Sequence, residues 1–126
     1  MKKVLFSIMA VALSQTAFAD QTVFSCFMNN GKHLSVQQVG SDLRYSYGKP
    51  GKPEMVFVNK INMVERDCGT QACNLTMENK GVEYWVWGNF RGDAAGGVEV
   101  SKKGKTLAST HCDSHREIYI DGNYFF

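Results

Sequence analysis

The stretch "EYWVWGNFRGD", residues 83–93, decides the fold class, because apolar residues follow one another and then give way to glycine and charge. Successive side chains of a strand point to opposite faces, so Trp85 and Trp87 share one face and Tyr84 and Val86 share the other. One set fills a core and the other covers a neighbouring strand. We expect at least one of the two tryptophans to lie in the core.

The loop that follows this strand, "GNFRGDAAGG", holds four glycines and a solitary Phe90. Glycine-containing loops carried by rigid strands are common places for binding residues. The sequence therefore predicts a core strand that ends in a presented loop.

The rest of the chain repeats the same unit, a short strand followed by a turn. Turn signals are clear at "NNG", which ends at Gly31, and at "KKGK", which contains Gly104. Residues 59–74 have no clear period of two and are compatible with a helical turn or a strand. We predict an all-β fold, a small antiparallel β-barrel or sandwich of about eight strands with two disulfides.

The first residues form a predicted signal peptide, residues 1–19. Two lysines precede an apolar run, and "AFA" before Asp20 is a small-x-small cleavage pattern. The run is shorter than the roughly 18 residues that a membrane-spanning helix needs. We expect cleavage after Ala19 and a periplasmic, soluble single β domain, residues 20–126.

Removal of this peptide takes two of the fourteen Lys and Arg residues and leaves twelve against twelve Asp and Glu, a formal net charge of zero. A protein of zero net charge has no excess of positive charge to attract the phosphates of nucleic acid or an anionic membrane surface. We therefore predict neither as a partner.

Four cysteines remain in the mature chain, and an even count in an exported protein predicts two disulfides, with three possible pairings. We expect Cys26 to pair with Cys112 near the two chain ends, and Cys68 with Cys73 across "CGTQAC". Zinc is the alternative, because "HCDSH" adds imidazole ligands to the thiolates, but no C-x-x-C pair is present.

The residues of catalysis are scattered. The histidines, at 33, 111 and 115, follow no nucleophile turn, the acidic residues stand singly, and no phosphate-binding glycine loop occurs. We predict a protein that is not an enzyme and that uses no cofactor.

Four short motifs, "FSC", "YSYG", "KGVEYWVWG" and "STHC", resemble the periplasmic and membrane-bound C-type lysozyme inhibitors, the MliC and PliC group, over most of the mature chain. Gly81, Tyr84 and Trp87 match the family's Gly, Tyr and Trp. Lys80 stands where the family has serine. The segment 91–93, "RGD", is similar to the family's Lys-Gly-Asp, displaced by two residues.

The resemblance implies an inhibitor that binds and blocks a peptidoglycan hydrolase with a lysozyme-like muramidase cleft. An immunity protein against a type VI secretion effector domain is an inhibitor of this kind. Because Lys80 replaces the family's serine, we do not assume that the target is an animal-type lysozyme. We take six residues as candidates for partner contact: Lys80, Glu83, Tyr84, Phe90, Arg91 and Asp93.

Two further expectations concern other partners. A small-molecule or glycan-binding β-barrel is the alternative function, and it would show Tyr45, Tyr47 and Trp85 lining an empty interior. A homodimer is possible, because the terminal segment "YIDGNYFF" offers an unpaired strand edge.

Overall fold

The computed structural model describes residues 20–125, so the predicted signal peptide, residues 1–19, lies outside the described part of the chain. The described chain forms two five-stranded antiparallel sheets. Sheet I has the strand order β10-β1-β2-β3-β4 and sheet II the order β5-β6-β7-β8-β9. The strands are β1 Gln21–Phe27, β2 His33–Val39, β3 Asp42–Lys49, β4 Lys52–Asn59, β5 Glu65–Cys68, β6 Ala72–Asn79, β7 Val82–Asn89, β8 Gly96–Lys102, β9 Lys105–His111 and β10 Tyr119–Ile120.

The predicted fold class is confirmed, with ten strands instead of about eight. One extra strand, β5, lies in the stretch that the sequence left without an assignment, after a 3₁₀ turn at Ile61–Met63. The other, β10, has only two residues and is followed by a single helical turn, α1, Gly122–Phe125. Among residues 20–125 no helix is long and apolar enough to cross a membrane.

Two hairpins of sheet II close through two-residue turns in which both residues have positive φ. Lys80 and Gly81 join β6 to β7, and Lys103 and Gly104 join β8 to β9, with φ between 51° and 81°. Such turns match the twist of paired strands, and glycine adopts this backbone without a steric cost.

The core lies between the sheets, where the inward side of each strand meets the other sheet. Tyr45 of β3 is almost fully buried, with its ring centroid 4.9 Å from that of Phe57 and 5.0 Å from that of Tyr84. Val86 lies beside them in the core. The inward set of β7 is therefore the tyrosine and valine set, and the expectation of a core tryptophan is wrong.

Both predicted disulfides are confirmed. Cys26–Cys112 joins the end of β1 to the segment after β9, beside a backbone bridge between Met28 and Cys112. Cys68–Cys73 closes the hairpin between β5 and β6. The first disulfide links the two sheets, and the second lies within sheet II.

A second link between the sheets is the buried side chain of Asn59, at the end of β4. Its amide donates to the carbonyl oxygen of Glu78 at 2.7 Å and its oxygen accepts from the backbone N–H of Glu78 at 2.8 Å. The pairing of β5 with β6 ends at Glu65 and Thr76, so the asparagine side chain takes the place of a strand beyond that point.

Candidate partner-binding surface

The six predicted contact residues lie in three places. Lys80 is in the exposed turn before β7, and Glu83 points outward near that end of the strand. The loop after β7 carries the others, apart from the tyrosine in the core. Eight extended residues at about 3.3 Å each separate the two ends of β7 by roughly 25 Å, so the turn and the loop do not meet.

Tyr84 does not belong to this surface. Only 7% of it is exposed, and its ring packs against Tyr45 and Phe57 in the core. Its match to the family motif therefore falls on a residue that supports the sheet.

The loop after β7 and the neighbouring hairpin end form a braced projection, which we call the tip: residues 69–71 and 90–93. The backbone N–H of Phe90 donates to the carbonyl oxygen of Gln71 at 2.8 Å, and that of Asn89 donates to Ala95 at 2.8 Å. The Asn89 amide also reaches the backbone oxygen of Asp93. Cys68–Cys73 closes the turn that supplies Gln71.

The exposed side chains of the tip combine an aromatic ring with a cation. Phe90 is 37% exposed, and the Arg91 guanidinium carbon lies 5.9 Å from its ring centroid. Arg91 and Asp93 are both exposed. The tip therefore presents one apolar anchor and one planar hydrogen-bond donor on a fixed base.

Both tryptophans lie on the outer face of sheet II, and sequence reasoning missed this. Trp85 is 38% exposed and Trp87 is half-buried, with ring centroids 6.0 Å apart and planes 23° apart. The Trp87 ring also meets the edge of the His111 ring at 6.2 Å, across Gly97, which lies between them in register. A Cβ at Gly97 would collide with the backbone carbonyl oxygen of Thr110, so the close approach of β9 to β8 requires glycine at this position.

A signal for this orientation exists in the paired strands. Trp85 lies opposite Thr76 on one side and Glu99 on the other, whereas Val86 lies opposite Leu75 and Val98. Polar neighbours mark the solvent face of a sheet, and apolar neighbours mark the core.

Carboxylates surround the tryptophan pair, and we call this outer surface of sheet II the tryptophan face. Glu78 and Glu83 lie directly opposite each other in register. Together with Glu65 they border a shallow depression of about 120 Å³. The full set of outward acidic side chains is Glu65, Asp67, Glu78, Glu83 and Glu99. Within residues 20–125 none of these five forms an ion pair.

A cleft of about 310 Å³ opens between the two sheets where β9 extends past the core. Its apolar wall includes Tyr45, Met55 and Val100, and Glu54 lies at its border. Burial raises the pKa of the Tyr45 hydroxyl well above its usual range, so this group stays protonated.

The histidines of the chain lie in separate environments. Burial, with a contribution from the Arg116 charge, lowers the pKa of His33. His111 lies beside Trp87, and the His115 ring lies 3.3 Å from the Asp113 carboxylate. Within residues 20–125, no three His, Cys, Asp or Glu side chains are grouped to hold a metal ion.

No protein-family model, no curated protein and no solved structure matches the chain. Function is therefore inferred from the tip, the tryptophan face and the resemblance in sequence.

Proposed function

We propose that the chain is a non-enzymatic, exported inhibitor that binds and blocks a peptidoglycan hydrolase. We propose further that it is an immunity protein against a type VI secretion effector domain. The motif resemblance supports this class of function, and the braced tip is the observation that carries it.

The tip has the physical properties of an element that enters a substrate cleft. It projects from the end of β7 and its base is held by three hydrogen bonds and a neighbouring disulfide. A loop that is ordered before binding loses less conformational entropy on association than a mobile one. A rigid insert of this kind excludes the glycan chain from the cleft by occupying its place.

The chemistry of the tip suits a muramidase cleft. Such a cleft holds at least one essential carboxyl group. The Arg91 guanidinium offers that carboxylate a charge-assisted and bidentate pair of hydrogen bonds. Phe90 supplies the apolar anchor that interface hot spots usually contain.

Lys80 and Glu83 have a different place in this proposal. They lie roughly 25 Å from the tip, so they do not enter the same cleft. A standard interface buries about 800 Å² on each partner, a patch roughly 28 Å across, so a patch centred on the tip ends short of them and only one that extends along β7 has them at its rim. Rim contacts contribute less than the central anchors.

The decisive experiment measures, by turbidity of a peptidoglycan suspension, inhibition of a candidate hydrolase, chosen first from any peptidoglycan hydrolase that a neighbouring gene encodes. We expect Arg91→Ala to weaken inhibition about tenfold to a hundredfold, because it removes a charged hydrogen bond to a buried carboxylate. Lys103→Ala, which removes a cation from an exposed turn remote from the tip, is the matched control and leaves inhibition unchanged.

The position of Lys80 predicts an intermediate outcome, with Lys80→Ala weakening inhibition less than Arg91→Ala. Equal inhibition by wild type and Arg91→Ala would remove the tip from the interface. No inhibition and no binding by the wild-type protein would overturn the proposed function itself.

The proposed location is the periplasm, after cleavage between Ala19 and Asp20. Two disulfides and the lack of a membrane-spanning helix in residues 20–125 are compatible with it. Mass spectrometry of the periplasmic fraction measures the mature N-terminus directly. A mature chain that begins at another residue, or that stays in the cytoplasm, would contradict the proposal.

The interior glycan-binding alternative lacks its expected geometry. Tyr45 and Tyr47 line the cleft beside β9, and Tyr45 also packs against Phe57 and Tyr84. Trp85 points outward, so the three residues do not line one empty interior. The cleft beside β9 is near the lower limit of ligand-site volumes.

A homodimer remains part of the proposal, but the strand edge proposed to pair is now β9 and not the terminal segment. The terminal strand β10 is short, whereas β9 is a seven-residue edge strand with Leu107 exposed. A long exposed edge is a template for pairing with a second copy. Sedimentation at high concentration that shows only monomer would exclude it.

A further inference from the structure

We propose that the tryptophan face is a second interaction surface, which docks a basic protein surface through arginine and lysine side chains. This inference goes beyond the hydrolase proposal, because it needs neither the tip nor a catalytic cleft in the partner.

Two large aromatic side chains at the centre of a sheet face are the first observation. Trp85 and Trp87 are stacked in one row and stand where a folded chain normally places polar groups. Tryptophan is the side chain most enriched in interface hot spots, together with tyrosine and arginine. Their ring planes are nearly parallel, 23° apart, with the centroids 6.0 Å apart.

The charge of the same face decides the occupant. Five outward carboxylates surround the rings, and none forms an ion pair within residues 20–125. Of the Lys and Arg residues in the five strands, Arg66 packs on the Tyr124 ring at 4.7 Å, and Lys102 and Lys105 lie opposite each other just beyond Ser101, the residue in register with Glu83. Within residues 20–125 none of these three forms an ion pair with the five carboxylates.

The direct opposition of Glu78 and Glu83 strengthens this assignment. Like charges in register on neighbouring strands destabilise a sheet. A guanidinium or ammonium group placed between the two carboxylates removes their repulsion. A cation over the tryptophan ring gains a further attraction from the electron-rich ring face.

Other occupants fit this charge poorly. Nucleic acid, anionic membranes and muramic-acid-containing glycans carry negative charge and are repelled by five carboxylates. A neutral glycan stacks on tryptophan without any need for this surrounding charge. A basic protein surface uses both the rings and the carboxylates.

The two tryptophans are the only ones in the chain, so intrinsic tryptophan fluorescence reports on this face alone. The experiment titrates the mature protein with capped hexa-arginine, hexa-lysine and hexa-glutamate peptides and with chitohexaose. We expect a fluorescence change with the basic peptides, larger for arginine, and an affinity that falls as salt is raised.

Variants are compared by the anisotropy of dye-labelled hexa-arginine. Trp85→Ala is expected to weaken binding about fivefold to tenfold, and Trp85→Leu equally, since leucine keeps apolar bulk without the ring. Glu83→Gln weakens it about twofold to fivefold. Val58→Ala, on the exposed outer side of β4, leaves binding unchanged.

Three results overturn the inference: equal binding of hexa-glutamate and hexa-arginine, a response to chitohexaose alone, or full affinity in a folded Trp85→Ala protein. Each is independent of the hydrolase, because the peptides have no cleft for the tip to enter. Arg91→Ala serves as the reverse control and keeps full affinity for hexa-arginine.

Discussion

The outer faces of the two sheets carry very different residues over the same shared core. On sheet I, Ser25, Ser35 and Ser46 lie side by side in register, and Arg44 is paired with Asp20 at 2.7 Å. On sheet II, two tryptophans and five unpaired carboxylates occupy the equivalent surface. The first face also exposes apolar side chains, Val56, Val58 and Tyr119, so apolar area alone does not separate the two faces. The difference is that the first face has a paired charge and no tryptophan, whereas the second combines two tryptophans with five carboxylates that form no ion pair within residues 20–125.

The two proposals together predict a division of roles, in which sheet I closes the core and sheet II presents the partner surfaces. The links between the sheets then matter for stability, and the outward groups of sheet II matter for binding. Three sets of variants test this division.

The largest effect is expected from the disulfides. In the chain-entropy model, replacing Cys26 and Cys112 by serine lowers the free energy of unfolding by roughly 4.6 kcal/mol, because the loop between them is long. The same change at Cys68 and Cys73 costs roughly 2 kcal/mol. Urea denaturation of the two double variants measures both values.

Hydrolase inhibition separates the two disulfides further. The Cys68–Cys73 variant is expected to lose inhibition under conditions in which it stays folded, since that bridge braces the tip. A folded variant with full inhibition would show that hydrogen bonds alone order the tip.

A smaller effect is expected at Asn59, the polar link between the sheets. Asn59→Ala removes two hydrogen bonds to Glu78 and is expected to lower the free energy of unfolding by about 1–3 kcal/mol. Asn74→Ala, on the outer side of β6, is the control and should change it by less than about 0.5 kcal/mol. Equal effects at both positions would contradict the role of Asn59 as a link.

The smallest effect concerns the carboxylates and differs in sign between the sheets. Glu83→Gln is expected to raise the free energy of unfolding by about 0.2–1 kcal/mol at low salt, because it relieves the repulsion from Glu78. Glu54→Gln on sheet I breaks the ion pair with Lys32 and should not stabilise the protein. Thermal unfolding at low and high salt measures both changes, and the gain at Glu83 should shrink as salt rises.

The sequence contained enough to predict the class of fold and the disulfides. Alternation of apolar and polar residues marked most strands, and the turn glycines at Gly31 and Gly104 marked hairpins. β5 was not predictable from alternation, because its four residues "ERDC" include no apolar side chain except the cysteine. It is a strand because β6 pairs with it.

The candidate site was predictable only in part. In β7 both alternating sets contain aromatic rings, and only Glu83 and Asn89, at the two ends of the Trp85 set, indicate within the strand that Tyr84 and not Trp85 points inward. The rings alone leave that choice open. That choice depends on the register with β6 and β8. The sequence analysis also placed Lys80 and Arg91 in one contact set because they are close in sequence. In the structure the whole of β7 lies between them and keeps them apart.

The spacing of the cysteine pairs has a consequence for the order in which the chain is completed. Cys68 and Cys73 are five residues apart and are free to join as soon as that hairpin emerges. Cys26 waits for Cys112, 86 residues later, and the outer edge of β1 waits for β10. The disulfide of the sheet II hairpin that braces the tip is therefore able to form first. The edge of β1 in sheet I stays unpaired, and Cys26 stays accessible to oxidants, chaperones and proteases, until the last residues of the chain are in place.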